Sequence, residues 1–446
     1  MFYRLFRAVM RLSLRLFFRV ESPVDPAGGL ALDGAVVYVA NHPNGLVDPA
    51  LVFALATRPI TFLAKAPLFA LPLLGWILRS MGALPVYRQK DGNNPAQNEG
   101  TLVAAVNALV AGSAITLFPE GKSHSEPQLA ELKTGAARMA LEATRRGAPV
   151  RIVPVGLTYE AKSLFKSRVH VEVGPALEAR AFMEREGEDA HAAARRLTAA
   201  IADALWTVTL NLDRWEDLPI VETAEALYAL AQDKDDDAGS AERQRAFARG
   251  MALVREEEPA RFERLKRDIA SFRQRLGLLR VTPKELTYHY HPATVALFIA
   301  RNLAWLLGLP FFVLGLVLFW LPYQFPYRLA DARHEDHDVE STVKLLAAMV
   351  IAPAWWGLLT GAAGLWGGAW AAVGALLAVP TLAVFTRWYF ERRGSALHDA
   401  RVFLQLGRGG ALKRGLLAEG RSLAGEIDRL AAELRPRLER EARARA

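Results

Sequence analysis

From Ala35 to about Arg180 the chain alternates short apolar runs with stretches whose apolar positions recur at helical spacing. The runs Val36–Ala40, Ile60–Leu63, Ile115–Phe118, Ile152–Leu157 and Val169–Val173 are predicted strands. Pro49–Ala56, Pro67–Met81, Ala96–Ala111 and Leu129–Arg146 are predicted helices. That order specifies an α/β domain, in which functional side chains come from strand ends and the turns after them. Pro154 inside its run predicts an edge strand or a bulge, because proline cannot donate to a ladder.

The pattern differs on either side of this domain. Residues 1–20 space Arg4, Arg7, Arg11, Arg15 and Arg19 along one helical stripe, with Phe2, Leu5, Phe6, Val9, Leu12, Leu16 and Phe17 covering much of the remainder. Such a helix suits a bilayer interface, with packing on its own domain as the alternative. Glu21 to Gly34 is rich in Pro and Gly and reads as a linker. From Ala181 to Pro292 the pattern is helical and highly charged, broken by the acidic loop Asp233–Ser240. Asn302–Gln324 and Leu345–Thr386 contain no charged residue, and a spanning helix needs about 20 apolar residues. The second run is long enough for two spans, with Gly361, Gly364, Gly367 and Gly368 around the turn; Pro310 divides the first segment and allows a re-entrant hairpin. Trp305, Trp320, Tyr323, Tyr327, Trp388 and Tyr389 sit near the ends as an interfacial belt would. The tail from Arg392 is basic and leucine-rich, suited to anionic lipid or to a partner helix. The expected division is 1–25 amphipathic helix and linker, 26–215 α/β domain, 216–293 charged helical region, 294–390 transmembrane helices and 391–446 basic helical tail.

Composition narrows the chemistry. With no cysteine in 446 residues, disulfides, thiol nucleophiles and thiolate metal sites are excluded. A net charge of +8 fits an anionic surface, and no aromatic-basic nucleic-acid module accompanies it. No secretory signal pattern is evident at the N-terminus. His289 and His291 lack a partner at ligand spacing and are expected to serve packing or interface. His334 and His337, among the carboxylates of Asp331–Asp338, leave a divalent metal site open beside a solvated acidic loop.

The densest candidate chemistry lies on Asn41-His42-Pro43-Asn44-Gly45-Leu46-Val47-Asp48-Pro49, a strand-to-helix turn. A histidine with an ordinary pKa near 6.5 can accept a proton at neutral pH. A carboxylate on the same turn can fix its tautomer and stabilise the imidazolium. Asp48 also reads as a helix N-cap with Pro49 at the first helical position. Lys65 follows the second strand, Gly82–Arg88 ends in an arginine, and Phe118-Pro119-Glu120-Gly121-Lys122-Ser123 follows the third. Arginine's fork and lysine's point charge both suit phosphate oxygens. A serine hydrolase built on Ser123 is disfavoured, because Gly121-Lys122-Ser123-His124-Ser125 lacks the second glycine of a nucleophile elbow.

In this order and spacing, Asn41-His42…Asp48-Pro49, Gly82…Pro85-Val86-Tyr87-Arg88, Phe118–Ser123 and Val153-Pro154-Val155 resemble the glycerophospholipid acyltransferase family that includes the bacterial lysophosphatidate acyltransferases. The resemblance covers about residues 30–180. The longer chain is similar in architecture to the fungal-type glycerol-3-phosphate/dihydroxyacetone-phosphate acyltransferases. The family pattern usually puts four residues between histidine and aspartate; here there are five, Pro43 to Val47, and the Pro-Asn-Gly turn offers a place to absorb the extra one. The resemblance implies an α/β acyltransferase domain followed by a helical region and a transmembrane helical segment. It implies His42 as general base with Asp48 behind it, and Arg88 on the acceptor phosphate, helped by Lys65 or Lys122. Glu120 and Gly121 would shape the acceptor site, with Ser123 as a further donor. Acyl-CoA or acyl carrier protein would supply the acyl group to glycerol-3-phosphate, dihydroxyacetone phosphate or 1-acyl-glycerol-3-phosphate, without metal or cofactor; the alternatives are another lipid acceptor, or a membrane-remodelling scaffold that keeps the fold. The apolar runs place the chain at a membrane, with membrane lipids as partners. Three simple spans would separate the catalytic domain from the tail, whereas the arginine-rich tail after Thr386 favours an even number of crossings with both on the cytoplasmic face.

Overall fold

The computed structural model describes residues 2–21, 23–70, 72–87, 98–162, 164–232, 239–288, 291–332, 337–406 and 410–445. Arg88, most of the acidic loop after Gln232, His289 and the stretch holding His334 lie outside the described residues. In chain order the first part runs α1 (Phe2–Phe17), β1 (Arg19–Val20), β2 (Val36–Ala40), α2 (Val47–Leu55), β3 (Ile60–Lys65), α3 (Pro72–Ser80), β4 (Leu84–Val86), α4 (Asn98–Val110) and β5 (Ala114–Leu117). It continues with α5 (Gly135–Arg145), β6 (Arg151–Tyr159), β7 (Arg168–Val173), β8 (Leu177–Glu178) and α6 (Ala190–Val208). These belong to one compact unit, Met1–Asp213, with which Glu335–Thr342 and Arg443–Ala446 are grouped; Arg214–His334 and Val343–Ala442 form the second.

The sheet order is β1-β7-β6-β2-β5-β3-β4, with β8 also on β6. Strands β2, β3, β4, β5 and β6 are mutually parallel, while β7 and β8 run antiparallel to β6. All five residues of β2 are buried, as a central parallel strand covered on both faces requires. Val37, Val39, Ile115 and Ile152 face a core shared with α4, α5 and α6. The register places Val36, Tyr38, Thr116 and Phe62 on the opposite face, where Phe53 of α2 meets Phe62 with ring centroids 5.7 Å apart. Helix α6 approaches β6 so closely that a Cβ on Gly156 would lie 1.9 Å from the Val208 carbonyl oxygen. Only glycine fits there.

Pro154 corrects the edge-or-bulge expectation. Strand β6 is interior, and Pro154 pairs in register with Val39 of β2. On its other side the partner changes there, with Ile152 opposite Leu177 of β8 and Val155 opposite Val173 of β7. The Pro154 carbonyl accepts from Gly174 N at 2.9 Å, so its nitrogen faces that same junction. No ladder donor is required where one strand gives way to the next.

Helix α1 packs on its own domain and leaves an apolar face exposed. Met10, Leu14, Phe17 and Phe18 are buried on the domain, and Tyr3 and Phe6 reach Phe53. Arg7 donates to the Ala56 carbonyl at 2.8 Å and Arg11 to that of Ala54 at 2.5 Å. Two of the stripe's arginines thus neutralise carbonyls at the end of α2, where cations are favourable. Leu5, Val9, Leu12 and Leu16, spaced four, three and four apart, form an exposed apolar stripe.

The second unit is helical: α7 (Leu218–Ala231), α8 (Ser240–Glu257), α9 (Pro259–Leu279), α10 (Pro292–Ala304), α11 (Leu309–Ala332), and all but the first residues of α12 (His337–Leu406) and the last of α13 (Ala411–Arg445). The tail helix α13 buries Leu416, Leu423 and Ile427 with Leu227 of α7 and Phe272 of α9, so it serves as a partner helix. His291 caps α10, its Nδ1 accepting from Ala293 N at 3.3 Å. Among the described residues two helical stretches, Ala293–Leu329 and Thr342–Leu406, are long and apolar enough to cross a membrane. A tighter turn at Trp305–Gly308 interrupts the first just ahead of Pro310. The second, 65 residues, would run about 98 Å at 1.5 Å per residue, far more than a bilayer of about 30 Å. Gly368, at φ 74°, breaks it, and the chain doubles back so that Trp356 Nε1 donates to the Leu376 carbonyl at 3.2 Å.

Candidate active site

Because β2 to β6 are parallel, their carboxyl ends share one edge of the sheet, where ligands bind in open α/β folds. That edge carries His42 after β2, Lys65 at the end of β3, Tyr87 after β4, Phe118–Ser123 after β5 and Tyr159 at the end of β6. Asn41 clips the first of these turns to the sheet. Its side-chain amide donates to the Leu157 carbonyl at 2.9 Å and its Oδ1 accepts from Leu157 N at 2.7 Å, extending the β2–β6 ladder by one side chain.

His42 and Asp48 meet, with Nδ1 2.9 Å from Oδ2. The five-residue spacing is absorbed at Gly45, which takes φ +38°. The capping expectation for Asp48 is corrected. Helix α2 begins at Val47 with Leu46 in the cap position, and Asp48 lies inside the first turn. Its carboxylate turns back to accept from Asn44 N at 2.6 Å and from the Tyr159 hydroxyl at 2.5 Å. A fully buried carboxylate is tolerated here because donors surround it and the helix N-terminus favours its charge. Burial, then the charge and hydrogen bond of Asp48, push the Tyr159 phenol well above its usual range.

This arrangement fixes the chemistry of His42. With Nδ1–H donated to Asp48, Nε2 is left as the basic nitrogen, and among the described residues it has no hydrogen-bond partner. The imidazole lies over Phe118 with centroids 4.2 Å apart and planes 20° from parallel. Ring stacking and the Asp48 bond together set its plane.

Glu120 is 3% exposed and bonded on both oxygens. Oε1 accepts from His42 N at 2.7 Å; Oε2 accepts from Ala130 N at 2.8 Å and pairs with His124 Nε2. It joins the turn after β2 to the loop after β5. Gly121 takes φ +71°, and a Cβ there would come within 2.6 Å of Lys133 Nζ. Lys65 and Lys122 are exposed at this edge and Ser123 is half-exposed. Tyr159, Asn41 and His124 were not among the residues expected from sequence. Tyr159 and Asn41 act through partners that only the sheet register supplies, whereas His124 meets Glu120 four residues away on its own loop.

Residues 21–158, from the linker through nearly all of β6, match the protein-family model described as Acyltransferase. The chain therefore carries an acyltransferase-family domain. It is 34% identical over 131 residues to an uncharacterized acyltransferase of Schizosaccharomyces pombe, covering 28% of this chain and 19% of that one. It is 30% identical over 134 residues to glycerol-3-phosphate O-acyltransferase 2 of Saccharomyces cerevisiae, covering 29% and 18%. A chloroplastic 1-acyl-sn-glycerol-3-phosphate acyltransferase of Arabidopsis thaliana is 27% identical over 124 residues, covering 28% and 33%. The matched part thus spans a fifth or less of the two yeast relatives and a third of the plant one.

Proposed function

We propose that this protein is a membrane-attached O-acyltransferase that moves a fatty acyl group from a thioester to a hydroxyl of glycerol-3-phosphate, dihydroxyacetone phosphate or 1-acyl-glycerol-3-phosphate. The observation that carries the proposal is the His42–Asp48 pair with an open Nε2, set on the domain that matches the acyltransferase family. As the acceptor oxygen attacks the thioester carbonyl, Nε2 takes its proton and a C–O bond forms. Collapse of the tetrahedral intermediate breaks the C–S bond, and the imidazolium returns the proton to the departing thiolate. Asp48 holds the Nδ1 proton and balances the transient charge without becoming a nucleophile. Lys65, Lys122 and Arg88 bind the acceptor phosphate, Glu120 and Gly121 shape its site, and Ser123 adds a donor. The relatives' names support both acceptor classes.

Attachment is proposed through the two long apolar stretches and the Leu5, Val9, Leu12 and Leu16 stripe of α1. Leu365, Trp366 and Trp370 around the Gly368 turn are 88%, 94% and 87% exposed, an apolar surface that lipid would cover. An even number of crossings would leave the arginine-rich end and the catalytic domain together on the cytoplasmic face.

The test is transfer from a labelled acyl-CoA and from acyl carrier protein in membranes expressing the protein or His42→Ala, with the three acceptors offered separately. Activity lost in the variant supports the reading, and the preferred acceptor names the step. Folded wild-type protein that acylates none of the three overturns it.

A further inference from the structure

The mechanism above leaves one polar group at the centre of the site without a role. Strand β6 ends on Tyr159, whose hydroxyl donates to Asp48 Oδ1 at 2.5 Å. His42 and Asn44 both use the other oxygen, Oδ2. The tyrosine is held in turn. Its ring meets Phe18, the residue just after α1, edge-on at 5.7 Å, and Phe18 is 1% exposed. Register adds a second constraint, since Tyr159 pairs with Val169, which pairs with Val20 of β1.

We propose that Tyr159 is a positioning residue that sets how readily His42 gives up its proton, by sharing the charge of Asp48 with it. A buried carboxylate that accepts a phenolic hydrogen bond at one oxygen has less charge to offer an imidazolium at the other. Remove the phenolic donor and the Asp48–imidazolium pair tightens, so the free base appears only at higher pH. The same bond fixes the plane of the carboxylate, and hence the direction in which Nε2 points. The phenol remains protonated throughout the working range, because burial and the neighbouring Asp48 charge raise its pKa far above it.

Among the described residues, the charged and titratable groups tied by hydrogen bonds into the surroundings of the pair come from three places. Asp48 comes from α2, Glu120 and His124 from the loop after β5, and Lys162 from beyond β6, where its ammonium reaches Ser125 Oγ at 3.1 Å. Between α1 and β1 the neighbour of Tyr159 is the uncharged Phe18, while Arg7 and Arg11 sit at the far end of α2. Tyr159→Phe leaves all of these in place and keeps the ring that packs on Phe18.

The kinetic arm of the test rests on the acyl-transfer reading; the chemical arm does not. Full-length protein in detergent would be treated with diethyl pyrocarbonate from pH 5 to 8, and modification of His42 followed by mass spectrometry. In Tyr159→Phe the pH of half-maximal reactivity is expected to rise by about one unit, the scale of one charge-assisted hydrogen bond. The acid limb of kcat/KM should move with it, lowering the rate about tenfold on that limb, with the KM for the acceptor changed less than about twofold. In an Asp48→Asn background the same substitution should shift nothing further. An unmoved midpoint in folded Tyr159→Phe, or an equal shift without Asp48, overturns the proposal. A shifted midpoint in a protein that transfers no acyl group would leave the coupling standing and remove the proposed reaction instead.

Discussion

Two histidine–carboxylate pairs sit in one hydrogen-bonded network, on the turn after β2 and on the loop after β5. In the first, His42 donates Nδ1–H to buried Asp48 and keeps 15% of its side chain exposed, with Nε2 open among the described residues. In the second, His124 is engaged on both ring nitrogens: Nε2 lies on Glu120, and Nδ1 accepts from Glu126 N at 3.2 Å. Its backbone N–H donates to the His42 carbonyl at 3.1 Å, while Glu120 accepts from His42 N. The same residue types are therefore arranged for opposite ends. A histidine next to a carboxylate is not thereby a base; it needs an unengaged lone pair facing the cleft. The second pair holds the first in place.

The largest effect should come from His42→Ala, which removes the proton acceptor and should lower kcat about 10²- to 10⁴-fold, with the melting temperature little changed. Glu120→Ala is next. It strands the N–H groups of His42 and Ala130, each costing about 1–3 kcal/mol if left unsatisfied, and frees the turn to drift. Activity should fall about 100-fold, together with a lower melting temperature, since a displacement of about 1 Å costs a factor of that size. His124→Ala should be milder, below about tenfold in kcat, because Glu120 keeps both backbone donors. A loss matching that of His42→Ala would break the distinction between the two pairs and make His124 a participant in proton transfer.

The sequence disclosed the reactive pair and hid what supports it, for a physical reason. His42 and Asp48 lie on one turn, so local pattern and the preceding apolar run suffice to bring them together. Tyr159 reaches Asp48 across 111 residues, and Asn41 reaches Leu157 across 116. Those partnerships depend on β6 lying beside β2 in one register, which no local signal encodes. The fold was legible to a similar degree. Strand β2 falls at the predicted residues, and β3, β5, β6 and β7 within a few. Strands β1, β4 and β8, of two or three residues, carry no periodicity and exist because a neighbour pairs with them. Pro154 misled because the rule about proline concerns ladder donors, and here the ladder changes partner at that residue.

A third buried carboxylate, in the helical unit, shows what a pair without a reactive partner does. Asp217 is fully buried and bonds Arg255 at 2.5 Å and Lys266 at 3.0 Å, cations whose side chains remain 28% and 32% exposed. Burial alone would raise its pKa, but the hydrogen bonds and charges of Arg255 and Lys266 outweigh it and hold the carboxyl below its ordinary value. A depressed folded-state pKa contributes stability that is complete above the unfolded value, near 3.9, and is lost as pH falls through the folded one. Asp217→Asn should therefore cost about 2 kcal/mol at pH 7, a moderate figure because both cations already reach water. The gap from wild type should stay flat down to about pH 5 and narrow steadily below about pH 4, as first the unfolded and then, at lower pH, the folded carboxylate takes up its proton. Acyl transfer should be unchanged at neutral pH, because the substitution lies outside the network that holds His42. Urea titrations of the two proteins from pH 3 to 7 would show it, and a gap that widens on acidification would mean that Arg255 and Lys266 are not what stabilises the Asp217 charge.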